Sequence, residues 1–230
     1  MANAEKPWLF TPVHENTAAH VLEACGISRD IVGPEFRVLD FGCGSGRYME
    51  VFERCVPRAN VQGVDVDAEA LESARESGLN VSELKSSQPK LLFPDRYFDV
   101  VFSSNVIEHI PRSVYLGYVE EIARVIKPHG IFAVGAPNYP IKRAFDMFTA
   151  LRHRDQFRYY FFDDPTHCNR VRIHQVESDL APWFTDIRLM PTELPLERWL
   201  PFMRRTEVRH RLRALGYKFF GSARRRADEI

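Results

Sequence analysis

The chain has 230 residues, with 31 Lys and Arg balancing 31 Asp and Glu, which is enough for one well-buried domain with an added lobe. No apolar run approaches the roughly 20 residues that span a bilayer, and Met1-Ala2-Asn3-Ala4-Glu5-Lys6 has no apolar signal core. Cys25, Cys43, Cys55 and Cys168 show neither metal-ligand spacing nor a disulfide framework, so no metal site is read and a reducing cytoplasm is expected.

Strands and helices alternate along the first half. A leading helix is predicted over Thr17 to Cys25, then a strand over Phe36 to Phe41 and a helix over Arg47 to Cys55. A second strand (Val61 to Asp65) is followed by a helix (Ala68 to Ser77), with Asp67 as its N-cap. A short strand near Asn80 to Leu84, a strand over Phe98 to Ser103, a helix over Val114 to Ile126 and a strand over Ile131 to Ala136 complete the series. Such alternation with right-handed crossovers gives an α/β, doubly wound, mostly parallel sheet of the Rossmann-like kind. Ligands of such sheets bind at the C-terminal strand edges, which lines up Asp40, Asp65 and Asn105.

Residues 138–170 interrupt the pattern. Pro137-Asn138-Tyr139-Pro140 breaks the chain, and Ile141, Ala144, Phe145, Phe148 and Leu151 then recur at helical spacing. Phe145 and Phe148 read as packing residues of that helix. Tyr159 and Tyr160, in the aromatic run that follows, stay open between packing and acceptor contact. The segment reads as a lid over a substrate pocket. Beyond it a helix is predicted over His174 to Trp183, with strands over Phe184 to Met190 and Tyr217 to Ala223. The whole is therefore one domain: residues 1–35 as an N-terminal helical segment, 36–137 as a ligand-binding core, 138–170 as the lid, and 171–230 as the C-terminal helix, strands and basic tail.

The densest signal is Val38-Leu39-Asp40-Phe41-Gly42-Cys43-Gly44-Ser45-Gly46. Apolar residues run into a carboxylate and then into three alternate glycines, a strand ending in a turn that a ligand approaches closely. A helix beginning near Ser45 or Gly46 would point its N–H groups at that ligand. A dinucleotide turn wants G-x-G-x-x-G, whereas the spacing here is G-x-G-x-G. Asp40 would repel a pyrophosphate and suit a ligand carrying an amino cation. Asp65, about 20 residues on, sits where nucleotide-binding α/β folds hold ribose hydroxyls with an acid.

Taken with three further segments, this chain resembles the class I S-adenosylmethionine-dependent methyltransferases, in particular the small-molecule branch that acts on quinones and sugars. The segments are Phe93 to Val101, Ser103-Ser104-Asn105-Val106-Ile107-Glu108-His109-Ile110 and Ala123 to Gly130, which follow the glycine turn in family order. The resemblance covers residues 36–137 and thins beyond them. It implies S-adenosyl-L-methionine as cofactor, held by Asp40, Gly42, Cys43, Gly44, Gly46, Asp65, Val66, Asn105 and Val106, and a seven-stranded sheet closed by an antiparallel C-terminal pair. Many relatives carry an acid at the loop that meets the adenine. Here that loop is Ser86-Ser87-Gln88-Pro89-Lys90, and either Gln88 accepts the same hydrogen bond or the loop is plain polar chain.

Methyl transfer needs in-line attack on a sulfonium methyl, and a hydroxyl nucleophile gains from a base. His109 follows the fourth strand, and His167 lies in Pro165-Thr166-His167-Cys168 after the aromatic run; both are candidate bases, with pocket shaping and lid hydrogen bonding as their structural alternatives. His14 is a weaker candidate for folding over the cofactor. Asn138, Tyr139, Tyr159 and Tyr160 are the candidate acceptor contacts. Residues 1–139 hold 13 Lys/Arg and 19 Asp/Glu, leaving 18 and 12 for residues 140–230. The distal half is thus basic and favours an anionic substrate or surface. Its aromatic and arginine mixture, from Trp199 to Arg205 and on to Arg224, Arg225 and Arg226, reads either as a solvated basic face or as a contact for an anionic membrane or phosphate group.

The reading is therefore a methyltransferase acting on a hydroxyl, less so an amine, of a small metabolite, glycan or lipid-linked acceptor. A non-catalytic cofactor-binding partner subunit is the first alternative. Base methylation is disfavoured because the Asn/Asp-Pro-Pro-aromatic motif is absent after the fourth strand and the Pro-Cys pair is absent as well, while the basic C-terminal portion keeps an RNA methyltransferase as a residual alternative. A nicotinamide oxidoreductase is disfavoured by the glycine spacing and Asp40. Neither the acceptor nor the oligomeric state is legible.

Overall fold

The structure, a computed structural model, describes residues 13, 15–85, 88–152, 157, 161–162, 164–194, 201–204 and 206–227. The first part runs α1 (Glu15–Ala24), β1 (Val38–Phe41), α2 (Met49–Phe52), β2 (Val61–Asp65), α3 (Ala68–Glu76), β3 (Val81–Glu83) and β4 (Phe98–Ser104). The second runs α4 (Arg112–Val125), β5 (Ile126–Pro137), α5 (Ile141–Arg152), α6 (Ile173–Leu180), β6 (Phe184–Glu193), α7 (Thr206–Arg211) and β7 (Lys218–Arg225).

The strands form a seven-stranded sheet in the order β3-β2-β1-β4-β5-β7-β6. Strands β1 to β5 pair in parallel, and β7 lies antiparallel between β5 and β6. The chain winds outward from β1 to β3, then returns to lay β4 on the other side of β1. This reversal opens a crevice at the C-terminal ends of β1 and β4. The sheet is α/β, doubly wound and closed by the C-terminal antiparallel pair, as the sequence implies.

All four residues of β1 are buried, because helices cover both faces of the sheet. The period of two sorts them. Leu39 and Phe41 join Val101 and Phe132 in a core roofed by Tyr115, Val119 and Ile122 of α4 and by Val176 and Leu180 of α6. Val38 joins Val100, Phe102 and Ala133 in the opposite core, beneath Val21 of α1, Met49 and Phe52 of α2, and Leu71 and Ala74 of α3. Polar side chains fix the edges. Asp99 Oδ2 accepts from Arg37 N (2.8 Å) and Lys127 Nζ (2.7 Å), tying the lead-in to β1 to β4 and β5. Arg124 reaches Glu121, Asp95 and the carbonyls of Leu91 and Phe93, pinning the loop before β4 to α4.

Four expectations are adjusted. The helix expected from Ser45 or Gly46 begins at Met49, because Gly46 holds φ 90°, outside the helical region. The fifth strand starts at Ile126, five residues earlier than expected. Ile126 pairs with Phe98 and Ile131 with Val100, so the turn-like Lys127 to Gly130 is accommodated as an irregularity in the strand, with His129 at φ 64°. The α5 stripe is only partly packed: Phe145 stacks on Tyr217 at 4.6 Å, whereas Phe148 is 64% exposed and Leu151 also faces solvent. The distal arginines are largely engaged within the chain. Arg225 donates to Ala123 O, Arg226 to Ala181 O, Arg224 to His129 O and Arg213 to Glu177. Trp199, Leu200 and Arg205 lie outside the described residues. Among the described residues no helix is long and apolar enough to cross a membrane.

The β6–β7 ladder depends on one missing side chain. A Cβ on Gly221 would collide with the carbonyl of Arg188, where β6 shifts register between Thr185 and Arg188. Overfilling a packed contact costs about 1–3 kcal/mol. Gly221→Val should therefore lower the unfolding free energy by at least that much, seen as a fall in the denaturant midpoint. Gly33→Ala, whose Cβ meets nothing within 4 Å, serves as the control and should leave it unchanged. Equal midpoints for the two variants would contradict this account of the ladder.

Candidate functional site

Three left-handed residues build the glycine turn: Gly42, Gly44 and Gly46, at φ 80°, 52° and 90°. A Cβ on Gly42 would strike the Val106 side chain, and one on Gly46 would strike Leu79. The turn is therefore a backbone surface pressed against the chain leaving β4. Gly42 N and Cys43 N both donate to Val64 O, at 2.8 and 3.1 Å, which fastens the turn to β2. Asp65 completes the fastening. Its Oδ2 accepts from Gly44 N at 2.7 Å and its Oδ1 from Asp67 N at 3.0 Å. Asp67 in turn caps α3 through Glu69 N and Ala70 N. Asp65 thus shapes the loop with one lone pair on each oxygen. A carboxylate has about four such acceptor sites, so a diol arriving at this edge can still be bound.

Asp40 is 2% exposed, and its Oδ2 has no hydrogen-bond partner. Burial, and then the nearby negative charge of Asp65, push its pKa up to about 8. The same burial, with the charges of Asp40 and Asp65, pushes the Cys43 thiol up and keeps it protonated. An orphaned buried carboxylate beside a side-chain-free backbone cradle fits a ligand that brings its own cation. The amino-acid end of S-adenosylmethionine carries such a cation.

The other expected cofactor residues take different stations. Asn105 occupies φ 56°, donates its backbone N–H to Gly135 O (2.8 Å) and its side-chain amide to Ser104 Oγ (3.3 Å). Val66 is exposed at the end of β2. The Gln88 side chain is exposed, while its carbonyl accepts from Tyr118 Oη at 3.2 Å. Ser86 and Ser87 lie outside the described residues.

Beyond Val106 the chain makes a single 3₁₀ turn, Ile107–His109. The segment 164–171 folds against it. Asn169 N donates to Glu108 O at 2.9 Å, Asn169 Nδ2 to Ile107 O at 3.1 Å, and Cys168 Sγ to His109 O at 3.2 Å. The two histidine candidates are brought together, with ring centroids 4.7 Å apart. His109 Nδ1 lies 2.9 Å from Thr166 Oγ1, which donates to Asp164 Oδ1. His167 Nδ1 lies 2.6 Å from Tyr139 Oη. Glu108, Tyr139 and Asn138 are buried around them.

Asn138 does not present its amide to the strand edge. Its Nδ2 donates to Ala214 O and Gly216 O, and its Oδ1 accepts from Ile173 N. It braces the end of β5 against α6 and the turn before β7, while Tyr139 reaches the histidine pair. Tyr159, Tyr160 and His14 lie outside the described residues.

Glu108 is the member of this group that the sequence reading passed over. It is 1% exposed, and its Oε2 has no hydrogen-bond partner. Burial raises its pKa to about 7 against the opposing pull of Lys218 and Lys142. Its signal in the sequence was only a carboxylate beside a histidine already singled out. Thr166, Asp164 and Asn169 were missed because nothing local indicates that residues so far along the chain return to residue 108.

The Methyltransferase domain family matches residues 38–130. Trans-aconitate 2-methyltransferase of Rhodopseudomonas palustris is 35% identical over 104 residues, covering 44% of this chain and 39% of that protein. A probable S-adenosylmethionine-dependent methyltransferase of Mycobacterium tuberculosis is 35% identical over 101 residues, covering 44% of this chain and 35% of that one. The chain thus matches under two fifths of the length of these curated relatives. The solved structure of a SAM-dependent methyltransferase from Archaeoglobus fulgidus superposes with a TM-score of 0.62 at 18% identity, over 91% of this chain and 93% of that one. Turn, sheet order and family match agree: residues 38–130 match a methyltransferase domain, carried on the fold of the S-adenosylmethionine-dependent methyltransferases.

Proposed function

We propose that this protein transfers a methyl group to a hydroxyl of a small anionic acceptor. The observation that carries this reading is the adjacency of two half-sites. The glycine turn with orphaned Asp40 touches Val106, and two residues later the chain enters the Glu108–His109–His167 cluster. S-adenosylmethionine, when bound, supplies a methyl group already made electrophilic by its sulfonium. The chain's own part is to position and to desolvate. Asp40 and the backbone of Gly42 to Gly46 hold the amino-acid end, and Asp65 the sugar. The 3₁₀ turn and the 164–171 segment set the acceptor oxygen for in-line attack at about 3 Å, where alignment alone supplies much of the acceleration. Loss of the hydroxyl proton falls to the histidine cluster.

The acceptor's charge is read from its surroundings. Lys142 and Lys218 act electrostatically on Glu108, and Lys142 and Arg170 lie 5.6 and 6.0 Å from the Tyr139 ring. The trans-aconitate enzyme among the relatives is named for an acid that is anionic at neutral pH. Four unpaired cysteines suit a reducing compartment, and we place the protein in the cytoplasm.

Asp40 provides a pH test. Without ligand it keeps its proton below about pH 8, whereas a bound ammonium favours the carboxylate. Binding at pH 7 should therefore expel a proton, and affinity should rise with pH up to that value, by at most about tenfold per unit. Calorimetry in buffers of different ionisation enthalpy reads the proton directly. Asp40→Asn should release none and bind S-adenosylmethionine more than about tenfold more weakly, yet melt no lower at pH 7, because a costly buried acid has been removed. Undiminished affinity in that variant would sink the cofactor assignment.

The acceptor side is tested by screening anionic and neutral hydroxyl compounds for adenosylhomocysteine formation. With an active anionic acceptor, Lys218→Glu should raise KM about tenfold through reversed charge, with cofactor affinity unchanged. A preference for neutral acceptors, or an unmoved KM, would remove charge from the account.

A further inference from the structure

We propose that Glu108, His109 and His167 form a binding site for one divalent first-row transition ion. One ligand atom from each lies within 4.8 Å of the other two. The set comes from two separate stretches: Glu108 and His109 from the 3₁₀ turn after β4, and His167 from the 164–171 segment.

Three observations separate this cluster from a chance grouping. The first is the orphan. Glu108 is buried, yet its Oε2 accepts no hydrogen bond. Such an oxygen is costly unless something positive or donating meets it. The second is the anchoring of both rings. His109 and His167 are each held through Nδ1, by Thr166 Oγ1 and by Tyr139 Oη. Metal-bound imidazoles are fixed in this way, with one nitrogen oriented by an outer hydrogen bond and the other on the ion. Behind Thr166 stands Asp164, whose Oδ1 accepts from both its hydroxyl and its backbone N–H. The third is the donor chemistry. Two imidazoles and one carboxylate suit manganese, iron, cobalt or zinc, while calcium and magnesium prefer all-oxygen sets. Bonds of about 2.0–2.2 Å put ligand atoms roughly 3.4 Å apart. The exposed His109 ring has room to close that distance.

This site deepens the proposed function and rests on it for its chemical role. A three-ligand site keeps positions open; with both imidazoles engaged as ligands, the ion takes over the role of base given to the histidines above, and an acceptor oxygen entering there gives up its proton to solvent more readily. That oxygen then forms its bond to the methyl carbon as the carbon–sulfur bond breaks, and the electron pair stays on sulfur. Acceptors with two adjacent oxygens would bind best, since both can reach one ion.

Metal binding is measured separately from methyl transfer. The full chain, stripped with a chelator, is titrated with Mn²⁺ by electron paramagnetic resonance and with Co²⁺ by visible absorption, and S-adenosylmethionine binding is followed by calorimetry on the same samples. We expect one ion per chain. Glu108→Gln and His167→Ala should each weaken binding at least tenfold and still bind S-adenosylmethionine, which also shows that they are folded. Asp40→Asn should keep the ion and lose the cofactor. No ion bound at millimolar Mn²⁺ and Co²⁺, or binding indifferent to Glu108→Gln and His167→Ala, overturns the metal site while leaving the cofactor reading intact. Ion binding without S-adenosylmethionine binding in the native chain would uphold the metal site and defeat the proposed function.

Discussion

A carboxylate placed where an apolar residue would be cheaper governs this molecule. Asp40 stands inside an interior strand of a sheet covered on both faces, with one oxygen unanswered and a second acid close by. Folding must carry that cost, and the surrounding cores carry it. Leu39 and Phe41 face one core and Val38 the other, so apolar burial on both sides holds β1 in register and leaves Asp40 no path to water. The glycine turn follows from the same constraint. A ligand that is to reach a buried acid must approach the backbone itself, and Gly42 and Gly46 let that backbone lie directly against Val106 and Leu79. Asp65 then fixes the turn through Gly44 N, so one carboxylate keeps an unanswered oxygen while its neighbour shapes the turn.

The Glu108 cluster repeats the device on a smaller scale. Glu108 is buried and half-answered, and the segment that returns to cover it brings His167, Thr166 and Asn169 from a distant part of the chain. Both sites thus consist of strand-end acids whose cost is offset by packing elsewhere. Such acids mark function more sharply than exposed polar residues do, because nothing in the fold itself requires them.

The sequence spoke clearly where physics is local. Buried parallel strands are continuous apolar runs, and β1, β2 and β4 fell where Val38-Leu39, Val61 and Val100-Val101 put them. Asp67 capped α3 as its position before Ala68 suggests. The start of α2 was misjudged because a third glycine, read as a helix opening, adopts positive φ. The start of β5 was misjudged because Pro128-His129-Gly130 looks like a turn, and only pairing with β4 absorbs it into the strand. Helical spacing in α5 was correct, but the packing it suggested holds for Phe145 and not for Phe148, since an apolar stripe needs a neighbour before it becomes core, and Phe148 has solvent instead. The cluster around Glu108 was half legible. His109 and His167 were each visible alone, but their meeting depends on hydrogen bonds spanning some sixty residues, which no window of sequence contains.

The hydrogen bond from Tyr139 N to Val171 O, 2.9 Å, joins the two ends of the intervening segment. Asn138 holds the first end to α6 and to the turn before β7, independently of what lies between. The segment is therefore a loop closed at its own base. Lengthening such a closed loop costs little, since its closure entropy grows only with the logarithm of its length.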